Sequence, residues 1–304
     1  MKWILGLSLV VSCACLADTS LNDDEILDFY ATPAQLNSWS PGMTLTPSLE
    51  HQAYNTSTST LETMTLRPFI DHGPWELALI APYQRILGNT YITSLGPSPR
   101  LLCRRLAGLK PKQIREQIAR GLLTSAEINY CRTHHIRIHS QSDQMATGWS
   151  DISLEFLRNW SLGSVWSGYV GIVGKNDNGD ASSGLGTGTR DISAEFATTA
   201  RLHDLQTTLT GGYTHVGSNA ENYHSFPYAS LDMACTAYRY LWPGITFNYQ
   251  PPTVDTLNAT QYVSVYLELH PAGSTLLRFY SDYYTHTDNI FPNEELGVIL
   301  SLTF

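Results

Sequence analysis

The end of the chain most constrains its fold. From Glu295 to Phe304, apolar side chains alternate with mostly smaller or polar ones. The apolar set on one side is Leu296, Val298, Leu300, Leu302 and Phe304. A period of two is that of a β-strand with one apolar face. The chain therefore needs a sheet whose apolar face is covered, either by a second sheet or by lipid.

The same period recurs through most of the sequence and predicts twelve strands. The predicted strands are Met43–Tyr54, Leu61–Ile70, Trp75–Tyr83, Asp151–Trp160, Val165–Lys175, Arg190–Ala200, Leu205–His215, Tyr228–Tyr240, Ile245–Gln250, Gln261–His270, Thr275–His286 and Glu294–Phe304. Tight turns alternate with longer connections, and Leu241–Gly244 is among the predicted tight turns. Bacterial outer-membrane barrels keep short turns on the periplasmic side and long loops outside. The pattern predicts an all-β protein: a transmembrane antiparallel up-and-down β-barrel of about 12 strands.

Composition agrees with this fold and excludes others. Only residues 3–16 are strongly apolar over a long run, so a bundle of transmembrane helices is excluded. The formal charge of −9 argues against nucleic acid as a partner. The ending on Phe304 resembles the C-terminal signature of bacterial outer-membrane proteins. That resemblance implies recognition of Phe304 by the barrel assembly machinery and a location in the outer membrane of a Gram-negative cell.

The N-terminus predicts secretion. Lys2 precedes an apolar stretch, and small residues stand before Asp18, so residues 1–17 are interpreted as a signal peptide cleaved after Ala17. An alternative is that Val10 to Cys13 forms a lipobox and that Cys13 is lipidated. Residues 18–42 are predicted to be a periplasmic segment that caps or enters the barrel, and residues 43–304 to form the barrel.

Side-chain alternation assigns polar residues to the lumen. The predicted lumen-lining residues are Glu50, Arg67, Glu76, Asp151, Glu155, Asp191, Glu195, Asp232, Glu268, Arg278 and Asp282. This acidic set would attract cations. Alternatively, the carboxylates pair with inward arginines, with plug residues or with water. A short repeat, Asp151 to Phe156 and Asp191 to Phe196, is explained by the repetition of a barrel hairpin.

Residues 88–148 interrupt the pattern with a basic helical insert in the second extracellular loop. Between Arg100 and Arg137, nine basic and two acidic residues give +7, so the rest of the chain carries −16. The basic patch comprises Arg104, Arg105, Lys110, Lys112, Arg115 and Arg120. Two helices are expected, one over residues 110–120 and one after Thr124. The insert either plugs the acidic lumen or binds lipopolysaccharide phosphates outside.

Five cysteines are present, and Cys13 and Cys15 would leave with the signal peptide. Cys103 and Cys131 flank the first helix in an oxidising compartment, which predicts a disulfide between them. Cys235 is then left over and is predicted to be a free thiol facing lipid.

No pattern predicts an enzyme, a metal or a cofactor. His215 and Ser218 are three residues apart, and this spacing places them on opposite faces of a strand, unlike the His-x-Ser-Asn pattern of outer-membrane lipid hydrolases. His134, His135 and His139 lack a Cys/His framework and are interpreted as a solvated cluster. Gly184–Gly188 follows no βαβ strand and opens no helix, so it is not a phosphate loop.

The segment from Gly174 to Asp191 resembles outer-membrane transporters of the meta-pathway phenol-degradation type and related uncharacterised barrel families. Gly148–Ile152 and Gly211–Gly217 are similar to strand starts there, and the likeness covers residues 145–304. The resemblance implies a porin-like barrel that passes small-molecule solutes. A non-transporting surface protein that binds lipopolysaccharide or a partner is the alternative, and a lipid hydrolase is the second.

Overall fold

The computed structural model describes residues 39–53, 58–88, 92–93, 96–97, 103, 110–119, 128, 145–217, 223–253, 259–272, 274–285 and 292–304. Its strands are β1 (Trp39–Ala53), β2 (Thr58–His72), β3 (Trp75–Gly88), β4 (Ile92–Thr93), β5 (Gly96–Pro97), β6 (Ala146–Trp149), β7 (Ser153–Leu162), β8 (Trp166–Lys175), β9 (Asp191–Leu202), β10 (Leu205–Val216), β11 (Phe226–Cys235), β12 (Leu241–Gln250), β13 (Thr260–Ala272), β14 (Thr275–Tyr284) and β15 (Glu294–Thr303). The small β4 and β5 pair only with each other.

All other strands form one closed antiparallel sheet. Each strand pairs with its neighbours in the chain, and β15 pairs with β1, which closes the barrel. β6 and β7 pair with successive parts of β3, Tyr83–Ile86 and Trp75–Ile80, so together they occupy one position. The result is a 12-strand barrel with one extra strand, and the predicted fold is confirmed.

The connections alternate in length as predicted. Short turns join β2 to β3, β7 to β8 and β9 to β10, whereas the connections after β1, β3, β8 and β10 lie at the other end of the barrel. Some predicted boundaries are wrong: β1 begins at Trp39 rather than Met43, β3 continues to Gly88 rather than ending at Tyr83, and β11 ends at Cys235 rather than Tyr240. Residues 236–240 form the turn, and Leu241–Gly244, predicted as a turn, opens β12. Pro243 and Gly244 suggested a turn, but both lie in the ladder between β12 and β13.

The outer face carries a broad apolar band. Its exposed residues include Leu77, Leu79, Leu154, Phe156, Val170, Ile172, Phe196, Leu209, Leu231, Phe247, Leu267 and Phe279. Exposed aromatic residues flank this band at both ends of the barrel. Trp39, Trp75, Trp160, Trp166, Tyr238 and Tyr240 lie towards the short turns, and Tyr83, Trp149, Tyr213, Tyr249 and Tyr283 lie towards the long connections. Two aromatic girdles around an apolar band are typical of a barrel embedded in a membrane.

One helix of the insert is described, α1 (Pro111–Ala119). Pro111 suits the first helical position, and the Gln113 side chain accepts a hydrogen bond of 2.8 Å from the Lys110 backbone nitrogen. Lys110, Lys112 and Arg115 are exposed. The second predicted helix lies almost entirely outside the described residues. In the described part of the chain, no helix is long and apolar enough to cross a membrane.

On the inner face, tyrosine rings lie flat across glycines of the adjacent strand. Tyr266 on β13 covers Gly244 on β12, and Tyr280 on β14 covers Gly297 on β15. A Cβ atom at Gly244 would overlap the ring atoms of Tyr266. Glycine is therefore required there for the close approach of the ring, and not for a special backbone angle.

We expect Gly244→Ala to destabilise the barrel by about 1–3 kcal/mol, since the added methyl group overpacks the Tyr266 ring. Urea unfolding of the refolded protein in lipid vesicles measures the effect. Gly174→Ala is the matched control, because nothing lies within 4 Å of its Cβ position. Equal stability of the two variants would contradict the packing argument.

Candidate functional site

The inner face carries most of the charged side chains that the sequence singles out. Arg67 on β2 forms salt bridges with Glu76 on β3 and Glu155 on β7. Its Nε lies 3.2 Å from Glu155 Oε2, and its guanidinium also lies 5.7 Å from the centre of the Phe69 ring. One arginine thus links three strands and compensates two carboxylates.

A second basic residue lies on β14, which is separated from β2 by β1 and β15. Arg278 on β14 donates to Glu268 on β13, with 2.6 Å between Nε and Oε1. Its guanidinium lies 4.2 Å from the centre of the Tyr266 ring, a favourable cation–π distance. His270 Nε2 is 3.2 Å from the other Glu268 oxygen. The sequence placed Glu268 and Arg278 on one face, and the structure brings them into contact.

Tyrosine hydroxyls hold two further carboxylates. Tyr266 reaches over Gly244 and donates to Asp232 Oδ1 at 2.9 Å, while Thr246 donates to Asp232 Oδ2 at 2.6 Å. Tyr228 on β11 crosses Gly212 on β10 in the same way and donates to Glu195 on β9 at 3.0 Å. In both cases the glycine between them lets the ring span a strand.

The wall of β1, β14 and β15 holds a denser acidic group. Glu295 accepts hydrogen bonds from Gln52 at 3.1 Å, from Tyr280 at 3.1 Å and from Tyr284 at 3.4 Å. Asp282 lies directly opposite Glu295 in the sheet register. Glu50 lies opposite Gly297, two residues further along β15, and accepts from Ser48 at 3.3 Å.

Lys175 organises the end of the barrel near the β8–β9 connection. Its Nζ lies 2.9 Å from Asp151 Oδ2 and 2.9 Å from Asp191 Oδ2. Asp151 also accepts from the backbone nitrogens of Gly179 at 2.9 Å and Thr187 at 2.8 Å. The two aspartates are the first residues of the sequence repeat. The repeat thus places a carboxylate on each side of one lysine.

The connection itself folds back onto this cluster. Gly179 and Gly186 pack against Asp151, and the hydroxyl groups of Thr187 and Thr189 accept hydrogen bonds from the Lys175 ammonium group. Gly184–Gly188, which resembles a phosphate loop only superficially, is therefore part of a loop that covers buried aspartates. At its exposed edge, a hydrogen bond of 2.9 Å from Arg190 holds the pKa of Asp177 below its usual range.

Several of these residues were missed by sequence reasoning. Lys175 was not assigned to the lumen, although the hairpin repeat places it on the strand between the two aspartates. Glu295 and the tyrosines Tyr228 and Tyr280 were missed because tyrosines and strand-end positions carry no motif. The feature that marks these tyrosines is a glycine directly opposite on the adjacent strand. It can be recognised only when the strand register is known.

The cysteines depart from the prediction. Cys103 and Cys235 are each disulfide-bonded and fully buried. Cys235 is therefore not the free, lipid-facing thiol that alternation predicted, since another segment of the chain covers the end of β11. Cys131 lies outside the described residues, as do Arg104, Arg105 and Arg120 of the basic patch.

The remaining candidates are placed as follows. His215 is exposed on β10, and its Nδ1 lies 3.2 Å from Ser225 Oγ, whereas Ser218 lies outside the described residues. Phe304 exposes 71% of its surface and exchanges backbone hydrogen bonds with Met43. His134, His135 and His139 lie outside the described residues. In the described part of the chain, no three His, Cys, Asp or Glu residues are grouped to hold a metal ion.

Comparison with solved structures finds a channel with this fold, and other barrels that superpose less well. An outer-membrane channel from Pseudomonas putida F1 superposes with a TM-score of 0.56 at 12% identity, over 94% of this chain and 100% of that one. The KdgM porin gives a TM-score of 0.46 at 7% identity, over 86% and 99% of the two chains. OprB from Pseudomonas putida gives 0.37 at 9% identity, over 94% and 100%.

Neither a family model nor a curated protein matches the sequence. The class is therefore defined by fold: the chain is an outer-membrane β-barrel. The apolar outer band and its aromatic girdles agree with that location.

We expect Lys175→Met to lower the free energy of unfolding by about 3 kcal/mol, because it leaves two buried aspartates without their cation. The Asp151 and Asp191 side chains expose only 4% and 3% of their surface. Urea unfolding in lipid vesicles measures the loss, and proteinase K cleavage between residues 176 and 190 should become faster.

Arg190→Met is the control, since the Arg190 and Asp177 side chains of that pair expose 75% and 37% of their surface. It should leave stability nearly unchanged. If Lys175→Met were as stable as this control, the buried cluster would not stabilise the loop.

Proposed function

We propose that the protein is a channel or transporter for small solutes in the outer membrane, and that it is not an enzyme. The observation that carries the proposal is the inner face of the closed barrel. It is lined by charged and hydrogen-bonding side chains, whereas a structural core would be apolar. The similarity to an outer-membrane channel over almost the whole chain supports the same conclusion at the level of the fold.

The charge of the inner face gives the expected selectivity. Arg67, Lys175 and Arg278 each contact one or two carboxylates. Further inner carboxylates, such as Glu195 and Asp232, are held by hydroxyl groups and form no salt bridge with a basic residue in the described ranges. A lumen with excess negative charge concentrates cations and admits them in preference to anions.

We expect the purified protein to conduct in planar bilayers and to show a reversal potential of cation preference in a potassium chloride gradient. Removing one inner charge by Asp232→Asn should reduce this preference. Glu62→Gln, in an exposed pair with Arg85, should not. A protein that folds but does not conduct would favour the alternative, a surface protein with a closed lumen.

The finer family assignment belongs to the same proposal. The segment from Gly174 to Asp191, which resembles transporters of the meta-pathway phenol-degradation type, is the loop built around Lys175. A common loop structure would account for that resemblance. The solute class implied by it, small aromatic molecules, is tested by the same bilayer assay with phenol as the added solute.

The insert supports a second role. Lys110, Lys112 and Arg115 are exposed on and just before α1, where they are free to contact lipopolysaccharide phosphates. For the lipid hydrolase, the observed contact of His215 is with Ser225, and no carboxylate is hydrogen-bonded to His215 among the described residues. Recognition of Phe304 by the barrel assembly machinery remains a prediction.

We infer, further, that Cys103 is bonded to Cys235. After removal of residues 1–17, three cysteines remain, and the two described ones are both disulfide-bonded. One bond between them would satisfy both in the chain that lacks residues 1–17.

Peptide mapping without reduction should recover the Cys103 and Cys235 peptides as one species. In the Cys235→Ser variant, the Cys103 peptide should no longer be recovered as part of that species. Cys131→Ser is the matched control and should leave the linked species unchanged. Recovery of a Cys103–Cys131 peptide instead would restore the bond predicted from the sequence.

A further inference from the structure

The acidic group on β1, β14 and β15 differs from the other inner carboxylates. Glu50, Asp282 and Glu295 have no salt bridge to a basic residue in the described part of the chain. The basic residues of the inner face, Arg67, Lys175 and Arg278, form their salt bridges with other carboxylates. Three acidic groups thus share one patch of wall without a resident cation.

The hydrogen bonding of this patch is incomplete at one atom. Asp282 exposes only 6% of its surface, and its Oδ1 has no hydrogen-bond partner. Glu295 beside it accepts from three side chains, and Asp232 has a donor on each oxygen. A buried acceptor without a donor is costly and is the exception in folded proteins. Asp282 Oδ1 therefore offers an open position for a donor from outside the chain.

Aromatic rings lie on the strands that carry these carboxylates and on the adjacent strand β13. Tyr262 lies opposite Tyr284, with ring centres 5.0 Å apart, on the same two strands as Ser264 and Asp282. Tyr280 lies against the wall over Gly297, opposite Glu50 in the register. Faces of tyrosine rings attract organic cations, and this attraction is stronger where water is excluded.

The arrangement suits an organic cation better than a metal ion. No three acidic, histidine or cysteine residues in the described ranges are grouped to hold a metal. A cation with several N–H donors and a hydrocarbon part is larger, so its charge can be shared by carboxylates on neighbouring strands. Its hydrocarbon part would contact the rings.

We propose that this patch is a binding site for an organic ammonium ion, whose N–H group donates to Asp282 Oδ1 while Glu50 and Glu295 neutralise its charge. The inference rests on the proposed function, because it names the class of solute that the channel would take up. It adds a specific position on the inner face of the barrel where that solute binds.

Benzylammonium chloride is the probe, and benzyl alcohol is its nearly isosteric uncharged control. Binding to the full-length protein in detergent is measured by isothermal titration calorimetry, and folding of every variant is checked by heat-modifiable migration on gels. Asp282→Asn should weaken benzylammonium binding about tenfold or more, since a charged hydrogen bond is lost. Glu50→Gln tests the same patch if Asp282→Asn does not fold.

Two control variants distinguish binding at this site from general electrostatic attraction of the cation to the acidic barrel. Asp232→Asn removes one inner charge whose oxygens already have donors, and it should weaken binding less than about threefold. Glu62→Gln on the outer face should leave binding unchanged. Equal losses for Asp232→Asn and Asp282→Asn would overturn the site, as would equal affinity for benzyl alcohol or no benzylammonium binding.

The outcome is independent of the channel assay. Potassium chloride conductance of the same preparation tests the proposed function alone. A conducting protein that does not bind benzylammonium keeps the channel and overturns the site. A protein that binds benzylammonium through Asp282 but does not conduct keeps the site and overturns the channel.

Discussion

The whole structure depends on the pairing of β15 with β1. In a bilayer, no water is present to hydrogen-bond an exposed strand edge, so a sheet is stable there only when it is closed. The ladder from Thr44–Thr303 to Ala53–Glu294 supplies that closure. It joins the first and last strands, whereas most of the other ladders join strands that follow one another directly in the chain. The apolar band can face lipid and the polar face can line a lumen only once this pair of strands has formed.

Closure also confines many carboxylates inside the barrel, and other side chains of the inner face hold them in place. A barrel of twelve strands turns half of its side chains towards a confined space, and in this chain many of them are carboxylates. Three basic residues link them into groups, Arg67 across three strands, Lys175 between two hairpins and Arg278 between neighbours. Tyrosines hold Glu195 and Asp232 where no base is in contact. Each group joins strands that are separate in the sequence and thereby stabilises the barrel shape.

Much of this follows from the sequence, because strand period and loop length are local properties. The twelve strands, the alternation of turns and the faces of Glu268 and Arg278 were all accessible from period two. The end of β11 was not, because Pro243 and Gly244 signal a turn unless the register of β13 is known. The same limit applies to Lys175 and to the tyrosine–glycine contacts, which depend on cross-strand neighbours. The burial and bonding of Cys235 depend on a distant segment, so alternation along β11 gave the opposite expectation.

The tyrosines that lie across glycines have a consequence for anything that moves through the barrel. A ring that lies flat against the wall takes little of the cross-section, and its hydroxyl group fixes a carboxylate at one height. Flexible acidic side chains would move with a passing ion, and the electrostatic potential along its path would change gradually. Here the negative charges at Glu195 and Asp232 are anchored, so a solute meets a series of stationary steps in potential. The barrel thus differs from a uniformly charged tube, because the sheet register fixes the height at which each of these negative charges lies.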